Sequence, residues 1–256
     1  MKLRVISILI NVLLMGLSMS LCQTSETPQT VRKGIIYKKE RSFEVAIQTN
    51  GYFFGYNQGK ISKYYLSKYL HFDLGHLKDP REQKINQANL PGNFIGNYIY
   101  GKQNDLWNLR VGRGINYYLS EKNRRRGIAL ALRAEGGLLI GLLKPYYLKV
   151  RERKDNESNV IELRYSDDRK EQFLAKENIL GASSYFRGIE EISIKPGAFG
   201  RISLAFDPGA YEKLVRSISF GLSVDVFTGR VPLLVTDKNS FLFANFFLKL
   251  QFGKRN

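Results

Sequence analysis

The chain has 256 residues, enough for one domain with a substantial interior, and carries 40 Lys and Arg against 23 Asp and Glu, a formal net charge of +17. Fifteen Tyr, sixteen Phe and 23 Gly suit strands with aromatic girdles better than a helical protein. So basic a balance suggests nucleic acid, until the start of the chain is read.

Lys2 and Arg4 precede an apolar run, Val5 to Leu21, broken only by Asn11 and small residues. Ser20 and Cys22 then stand at −3 and −1 of a cleavage before Gln23, the ending of a signal peptide over 1–22. A lipoprotein signal using Cys22 is the rival, but Met19, Ser20 and Leu21 poorly meet its need for small residues. A retained anchor fits less well, because the run is short and no stop-transfer pattern follows. Cleavage removes the one cysteine, and with it disulfides and a thiol nucleophile. Beyond it no apolar run reaches the roughly 18 residues of a transmembrane helix. An exported chain meets little nucleic acid. The expected counter-surfaces for the positive charge are therefore outer-membrane lipid and lipopolysaccharide headgroups, and other envelope proteins with acidic faces.

Residues 23–41 are polar, with Pro28 and scattered Lys and Arg, and read as a flexible periplasmic lead-in. Strand side chains alternate between faces, and the next stretch alternates: Phe43, Val45, Ile47 and Phe53 against Glu44, Gln48, Asn50 and Tyr52. Asn50-Gly51 is a hairpin signal that would split it. The length of its neighbours favours one strand over 42–57 instead. A return strand at 63–77 sends Leu70, Phe72 and Leu74 out, with His71 and Asp73 in. Residues 78–103 have loop composition, although Tyr98-Ile99-Tyr100 suits a short strand. Strand 104–119 places Trp107, Leu109, Val111, Ile115 and Tyr117 opposite Asn108 and Arg110. A tight basic turn, Glu121 to Arg126, leads to 127–142, with Leu130 and Leu132 out and Arg133 and Glu135 in. A further strand is expected at 143–153. The long segment 154–196 follows, in which Val160 to Tyr165 extends a hairpin beyond the membrane. Strands at 197–207, 214–228 and 240–253 complete the set. In the last, Ala244, Phe246, Leu248, Leu250 and Phe252 share one face, opposite Asn245, Phe247, Lys249 and Gln251.

This pattern is that of an all-β chain folded as an antiparallel transmembrane β-barrel over 42–256, of eight strands, or ten if 78–103 hides a pair. A secreted sandwich shares the alternation but must bury its apolar faces against each other, whereas polar residues occupy the second face of nearly every strand here. An even count puts both termini in the periplasm. Loops at 57–62, 120–126, 154–196 and 229–239 then lie outside, and 78–103 falls on the periplasmic side, unusually long for that side. The inward set is Glu44, Asp73, Arg110, Arg133, Glu135, Arg201, Asp207, Asp225 and Lys249. Charges of both signs in a narrow interior must pair, so a salt-bridged filling is expected rather than an open channel.

No catalytic or cofactor constellation stands out. His71 and His76 project to opposite faces of a strand and cannot jointly hold a metal. His71 and Asp73 share a face, but any barrel wall offers such a pair. The runs Asn50-Gly51-Tyr52-Phe53-Phe54-Gly55-Tyr56, Phe72 to Glu82, Gly141 to Tyr147 and Phe252-Gly253-Lys254-Arg255 resemble a family of uncharacterised outer-membrane β-barrel proteins of the Bacteroidota. That resemblance covers about Ser42 to Arg255. It implies location and fold, and brings no catalytic or ligand residues with it. The leading expectation is a non-enzymatic barrel, a structural or accessory subunit of an envelope assembly or secretion complex. The alternatives are a small passive pore and a membrane-embedded enzyme modifying lipid or protein. In 78–103, the apolar residues Phe94, Tyr98 and Tyr100 suggest a docking element, since aromatic residues concentrate at contacts; the alternative is that the segment plugs the periplasmic mouth or supplies two further strands.

Overall fold

The computed structural model describes residues 37–63, 65–85, 96–119, 128–154, 157–208, 212–236 and 238–256. The expected signal peptide, the lead-in as far as residue 36, Phe94 and the basic turn lie outside the described residues. Eight antiparallel strands close into a barrel. They are β1 (Lys39–Gln48), β2 (Gly51–Lys63), β3 (Leu66–Leu77), β6 (Asn104–Tyr118), β7 (Ala129–Pro145), β11 (Ser193–Asp207), β12 (Leu214–Phe227) and β13 (Leu242–Arg255). Each pairs with the barrel strands before and after it in the chain. The last returns to the first, with Glu40 opposite Arg255 and Ile47 opposite Leu248. No barrel edge is left to pair with another chain.

Alternation builds the wall. In β13, Phe246, Leu248, Leu250 and Phe252 stand exposed on the outside, while Asn245, Phe247, Lys249 and Gln251 are buried inside. In β12, Ile218, Phe220, Leu222, Val224 and Val226 face out, and Ser217, Ser219, Ser223 and Asp225 face in. The outside is apolar and the inside polar, the reverse of a water-soluble domain and the arrangement expected of a barrel in lipid.

Two strand assignments need correction. The expected strand over 42–57 is two strands joined at Asn50-Gly51, with Gln48 paired to Gly51 and Ile47 to Tyr52. Gly51 adopts φ 155°, and a Cβ there would lie 1.9 Å from the carbonyl oxygen of His76, so glycine is required. The turn reverses the phase: Phe53 is buried and Tyr52 and Phe54 are exposed, opposite to the single-strand reading. At the other correction, residues 143–145 end β7. The chain then leaves the barrel as β8 (Tyr147–Lys154), which pairs with β9 (Glu157–Arg164) and β10 (Ile179–Ala182) in a separate three-stranded sheet. One strand gained and one lost leave the count at eight. β1 also begins at Lys39, inside the span assigned to the lead-in.

The split moves the loops. Both ends of the barrel sheet, Lys39 and Arg255, share one end of the barrel with the strand ends Lys63, Leu66, Tyr118, Ala129, Asp207 and Leu214. Segments 78–103, 146–192 and 228–241 lie at the opposite end with the Asn50 turn, so 78–103 is not on the side of the termini. There the long connections form a cap. β4 (Lys84–Ile85) pairs with β5 (Tyr98–Ile99), and Gly96 donates its N–H to Leu180 O at 2.8 Å. The cap has its own core of Tyr98, Leu148, Val150, Leu163, Phe173 and Ile179. Phe173 comes from a single helical turn, α1 (Lys170–Leu174), too short to hold without that packing.

Candidate functional site

Seen from the cap end, the barrel interior falls into layers. An apolar plug comes first: Leu77, Leu106, Leu139, Leu143, Phe199, Phe227 and Phe243 converge from six strands onto Val231 and Leu233 of the β12–β13 connection. That connection is fixed in the mouth by backbone bonds from Gln103 N to Leu233 O, 2.8 Å, and from Val235 N to Gly101 O, 2.8 Å. A second group, Ala46, Phe53 and Phe247, fills the side where β1, β2 and β13 meet.

All nine inward-facing residues read from the sequence are buried in the lumen, seven of them in a charge layer below the plug. Arg110 reaches across it, donating to Asp73 at 2.7 Å and to both oxygens of Asp225 at 3.0 and 2.5 Å. Arg201 meets Asp73 at 2.8 Å and Glu135 at 3.5 Å. Its guanidinium also stacks over Phe53 of the second group at 4.1 Å and lies 5.2 Å from the Phe199 ring of the plug, joining this layer to both. Lys249 bridges Glu135 at 2.6 Å and Glu44 at 3.2 Å. His71 completes the circuit, with Nδ1 2.6 Å from Asn57 Oδ1 and Nε2 2.6 Å from Asp73 Oδ2. The Arg201 guanidinium also lies 3.0 Å from Nε2, so the ring is engaged on both nitrogens. Four carboxylates, Glu44, Asp73, Glu135 and Asp225, thus meet Arg110, Arg201, Lys249 and His71.

Nearer the termini, Arg133 bonds Ser217 at 3.0 Å, Ser219 at 3.3 Å and Gln251. The expected carboxylate partner for Arg133 is therefore replaced by neutral groups, whereas Glu135 does pair with Lys249. Asp207 is held by Arg255 at 3.0 Å and by the Tyr118 hydroxyl at 2.9 Å, and Arg255 also donates to Glu40 at 2.8 Å. The sequence reading missed Arg255, Glu40, Asn57 and Gln251. Gln251 was read inward without a partner; Glu40 and Arg255 fell outside the expected strands, and the reversed phase after Gly51 hid the inward face of Asn57.

Glu44, His71 and Glu135 lie close enough together to suggest a metal centre. The Lys249 ammonium sits between the two carboxylates where a cation would bind, and both histidine nitrogens are already engaged. The chemistry is that of a closed salt network. His71 and Asp73 are fully enclosed, so no substrate reaches them from solvent or lipid. His76 takes the opposite face, as the strand spacing requires, and packs against Trp107 at 5.0 Å between ring centroids.

At the cap end, Lys102 meets Asp105 at 2.7 Å and Glu82 at 3.1 Å, tying segment 78–103 to β6. Burial would lower the Lys102 pKa, but Asp105 and Glu82 together hold it above the ordinary lysine value. Of the residues expected to dock a partner, Tyr98 is 1% exposed within the cap core and is not available for direct contact. Tyr100 is half-buried, donating its hydroxyl to Leu174 O at 3.1 Å. Their apolar surface is used inside this chain. The exposed aromatic material at this end includes Tyr185, Phe186 and Phe241, the first accepting from Trp107 Nε1 at 3.0 Å.

No protein-family model matches the sequence, and no curated protein matches it. Three solved structures are similar in fold. Ail, the attachment invasion locus protein of Yersinia pestis, is 10% identical, with 86% of this chain and 95% of that chain covered and a TM-score of 0.37. The N-terminal β-barrel domain of Pseudomonas aeruginosa OprF is 9% identical, with 86% and 98% covered and a TM-score of 0.32. Neisserial surface protein A is 9% identical, with 86% and 97% covered and a TM-score of 0.34. The likeness is one of architecture, and no residue role follows from it.

Proposed function

We propose that the protein is a non-conducting, non-enzymatic outer-membrane barrel that works through its surfaces, as a structural or accessory subunit of an envelope assembly. The observation that carries this reading is the filled lumen. Val231 and Leu233 plug one mouth within a ring of apolar side chains, and the charges beneath are paired with one another rather than lining a path. A pore needs polar groups left free for water and ions, and an enzyme needs a reachable reactive group. The buried network offers neither. The apolar outer wall supports membrane insertion, and the cap, with its own sheet and core, continues beyond that wall.

Planar-bilayer recording of the purified barrel tests the central point. Insertion without resolved conductance steps is expected. Reproducible steps from the wild-type protein would establish the passive pore in its place. In-cell crosslinking from Phe186 tests the accessory role: adducts with another envelope protein are expected, and adducts confined to lipid and this chain would remove it.

A further inference from the structure

The lumen holds no positive excess, with Arg110, Arg133, Arg201, Lys249 and Arg255 against Glu40, Glu44, Asp73, Glu135, Asp207 and Asp225, and by sequence neither does the main cap segment, 146–192, with nine basic and ten acidic residues. The excess positive charge must therefore lie elsewhere, and the outer wall holds part of it. Lys39 and Arg41 on β1, Lys60 on β2, Lys68 on β3, Arg113 on β6, Arg216 on β12 and Lys254 on β13 all point outward and are exposed. All lie in the half of the barrel toward the end that carries Lys39 and Arg255. Among the described residues no Asp or Glu takes an exposed outward position in any barrel strand, and none of the seven cations has an ion-pair partner.

Their register is unfavourable for an isolated protein. Arg41 is directly opposite Lys254, Lys39 opposite Lys60, and Lys60 opposite Lys68. Like charges facing each other across a strand pair repel at about 5 Å between Cβ atoms. Three such pairs form a continuous arc from β13 through β1 and β2 to β3. Arg113, beside Leu70, and Arg216, beside Phe252, stand one position deeper at its two ends. Long arginine stems reach from such a depth back to a headgroup plane. Tyrosines accompany the arc, with Tyr65 against Tyr117 at 5.6 Å and Tyr56 against Phe43 at 5.1 Å, as at an interface between acyl chains and headgroups.

We propose that this arc is a binding surface for the phosphate groups of anionic phospholipid in the leaflet at the terminus end of the barrel. Phosphates placed between the facing cations turn three repulsive pairs into bridged ones, and guanidinium groups bind phosphate bidentately. The position selects phospholipid over lipopolysaccharide, whose phosphates would occupy the leaflet nearer the cap. The inference rests on the membrane-spanning reading proposed above and adds an orientation and a lipid class to it.

The test places the full barrel in nanodiscs of phosphatidylcholine, alone or with about a third phosphatidylglycerol, and compares thermal midpoints by circular dichroism. For the wild type, phosphatidylglycerol is expected to raise the midpoint by several degrees, and molar salt to abolish the rise, because counterions screen it. The triple variant Arg41→Gln/Lys60→Gln/Lys68→Gln should match or exceed the wild type in phosphatidylcholine and lose the response. Lys149→Gln/Arg151→Gln in the cap should keep it. Native mass spectrometry of the wild type, expected to retain phosphatidylglycerol in preference to phosphatidylcholine, gives the same answer without a variant. A wild type indifferent to headgroup charge, or a triple variant that keeps the response, overturns the proposal and leaves the membrane reading standing. A response confined to lipopolysaccharide also overturns it. Failure to enter either bilayer would overturn both.

Discussion

Arg110 is the residue on which the interior network can be tested most sharply. It is fully buried and clamps Asp73 and Asp225 from opposite sides of the lumen. In Arg110→Leu the two carboxylates fare differently. Asp73 keeps Arg201 at 2.8 Å and His71 at 2.6 Å, but Asp225 keeps only the Asn108 side-chain amide at 3.2 Å. The loss is therefore that of one orphaned buried charge, about 3–5 kcal/mol. Adding Asp225→Leu removes the orphan and replaces an ion pair with apolar side chains. The double variant is expected to return to within about 1–2 kcal/mol of wild type, a large coupling for residues on distant strands. Equilibrium unfolding in lipid vesicles, followed through Trp107, the sole tryptophan, measures the cycle. Additive losses in the double variant would show that the two residues do not stabilise each other, and the layered account of the lumen would fail.

Arg133→Met should cost less than Arg110→Leu, about 1–3 kcal/mol, because it strands neutral groups rather than a carboxylate; an equal or greater loss in the same unfolding assay would reveal a charged partner. Leu222→Arg or Leu248→Arg should impair insertion by about 2–4 kcal/mol if near the bilayer midplane, and wild-type folding yields into vesicles would remove both residues from the lipid face. Gly51→Ala forces a Cβ against His76 O at a positive φ and should slow or reduce barrel closure by at least about 1 kcal/mol; a neutral result by heat-modifiable gel migration would contradict the turn geometry. Burial would raise the Asp79 pKa, but hydrogen bonds and charge from Arg81 hold it below the ordinary carboxylate value. That clasp stabilises the cap above the unfolded Asp value of about 3.9 and is lost as pH falls through the folded value. Amide protection at Arg81, corrected for intrinsic exchange, should fall there in wild type and be low throughout in Asp79→Asn.

The wall was readable because lipid on one side and charge on the other impose strict alternation, as Phe246 to Gln251 illustrate. The hairpin at Asn50-Gly51 was readable too, since the signal stands in the sequence. What obscured it was Phe53 beside Phe54: with both positions apolar, reversing the phase leaves the pattern intact. Leu148 and Val150 misled for a related reason. Alternation reports that one face is covered, not whether lipid or a small core covers it, and these residues bury into the cap. The end of the barrel that holds 78–103 depended on the parity of every strand before it. Lumen partners were illegible because Arg110 and Asp225 lie 115 residues apart in the chain, and only closure makes them neighbours.

That closure has a consequence for how the protein is assembled and lost. The seam joins β1 to β13, so Glu40 meets Arg255 across a sequence separation of 215 residues, and no shorter-range pairing can substitute for it. Loop entropy makes such a join late and slow. Until it forms, two bare sheet edges flank it and the charges aimed inward lack their counterparts. Arg255 touches Glu40 on one side of the seam and Asp207 on the other, so the last strand brings its own rivet. The protein thus has one line along which the two ends of its described sheet meet, and closing that line is what brings the inward charges of its first and last strands together.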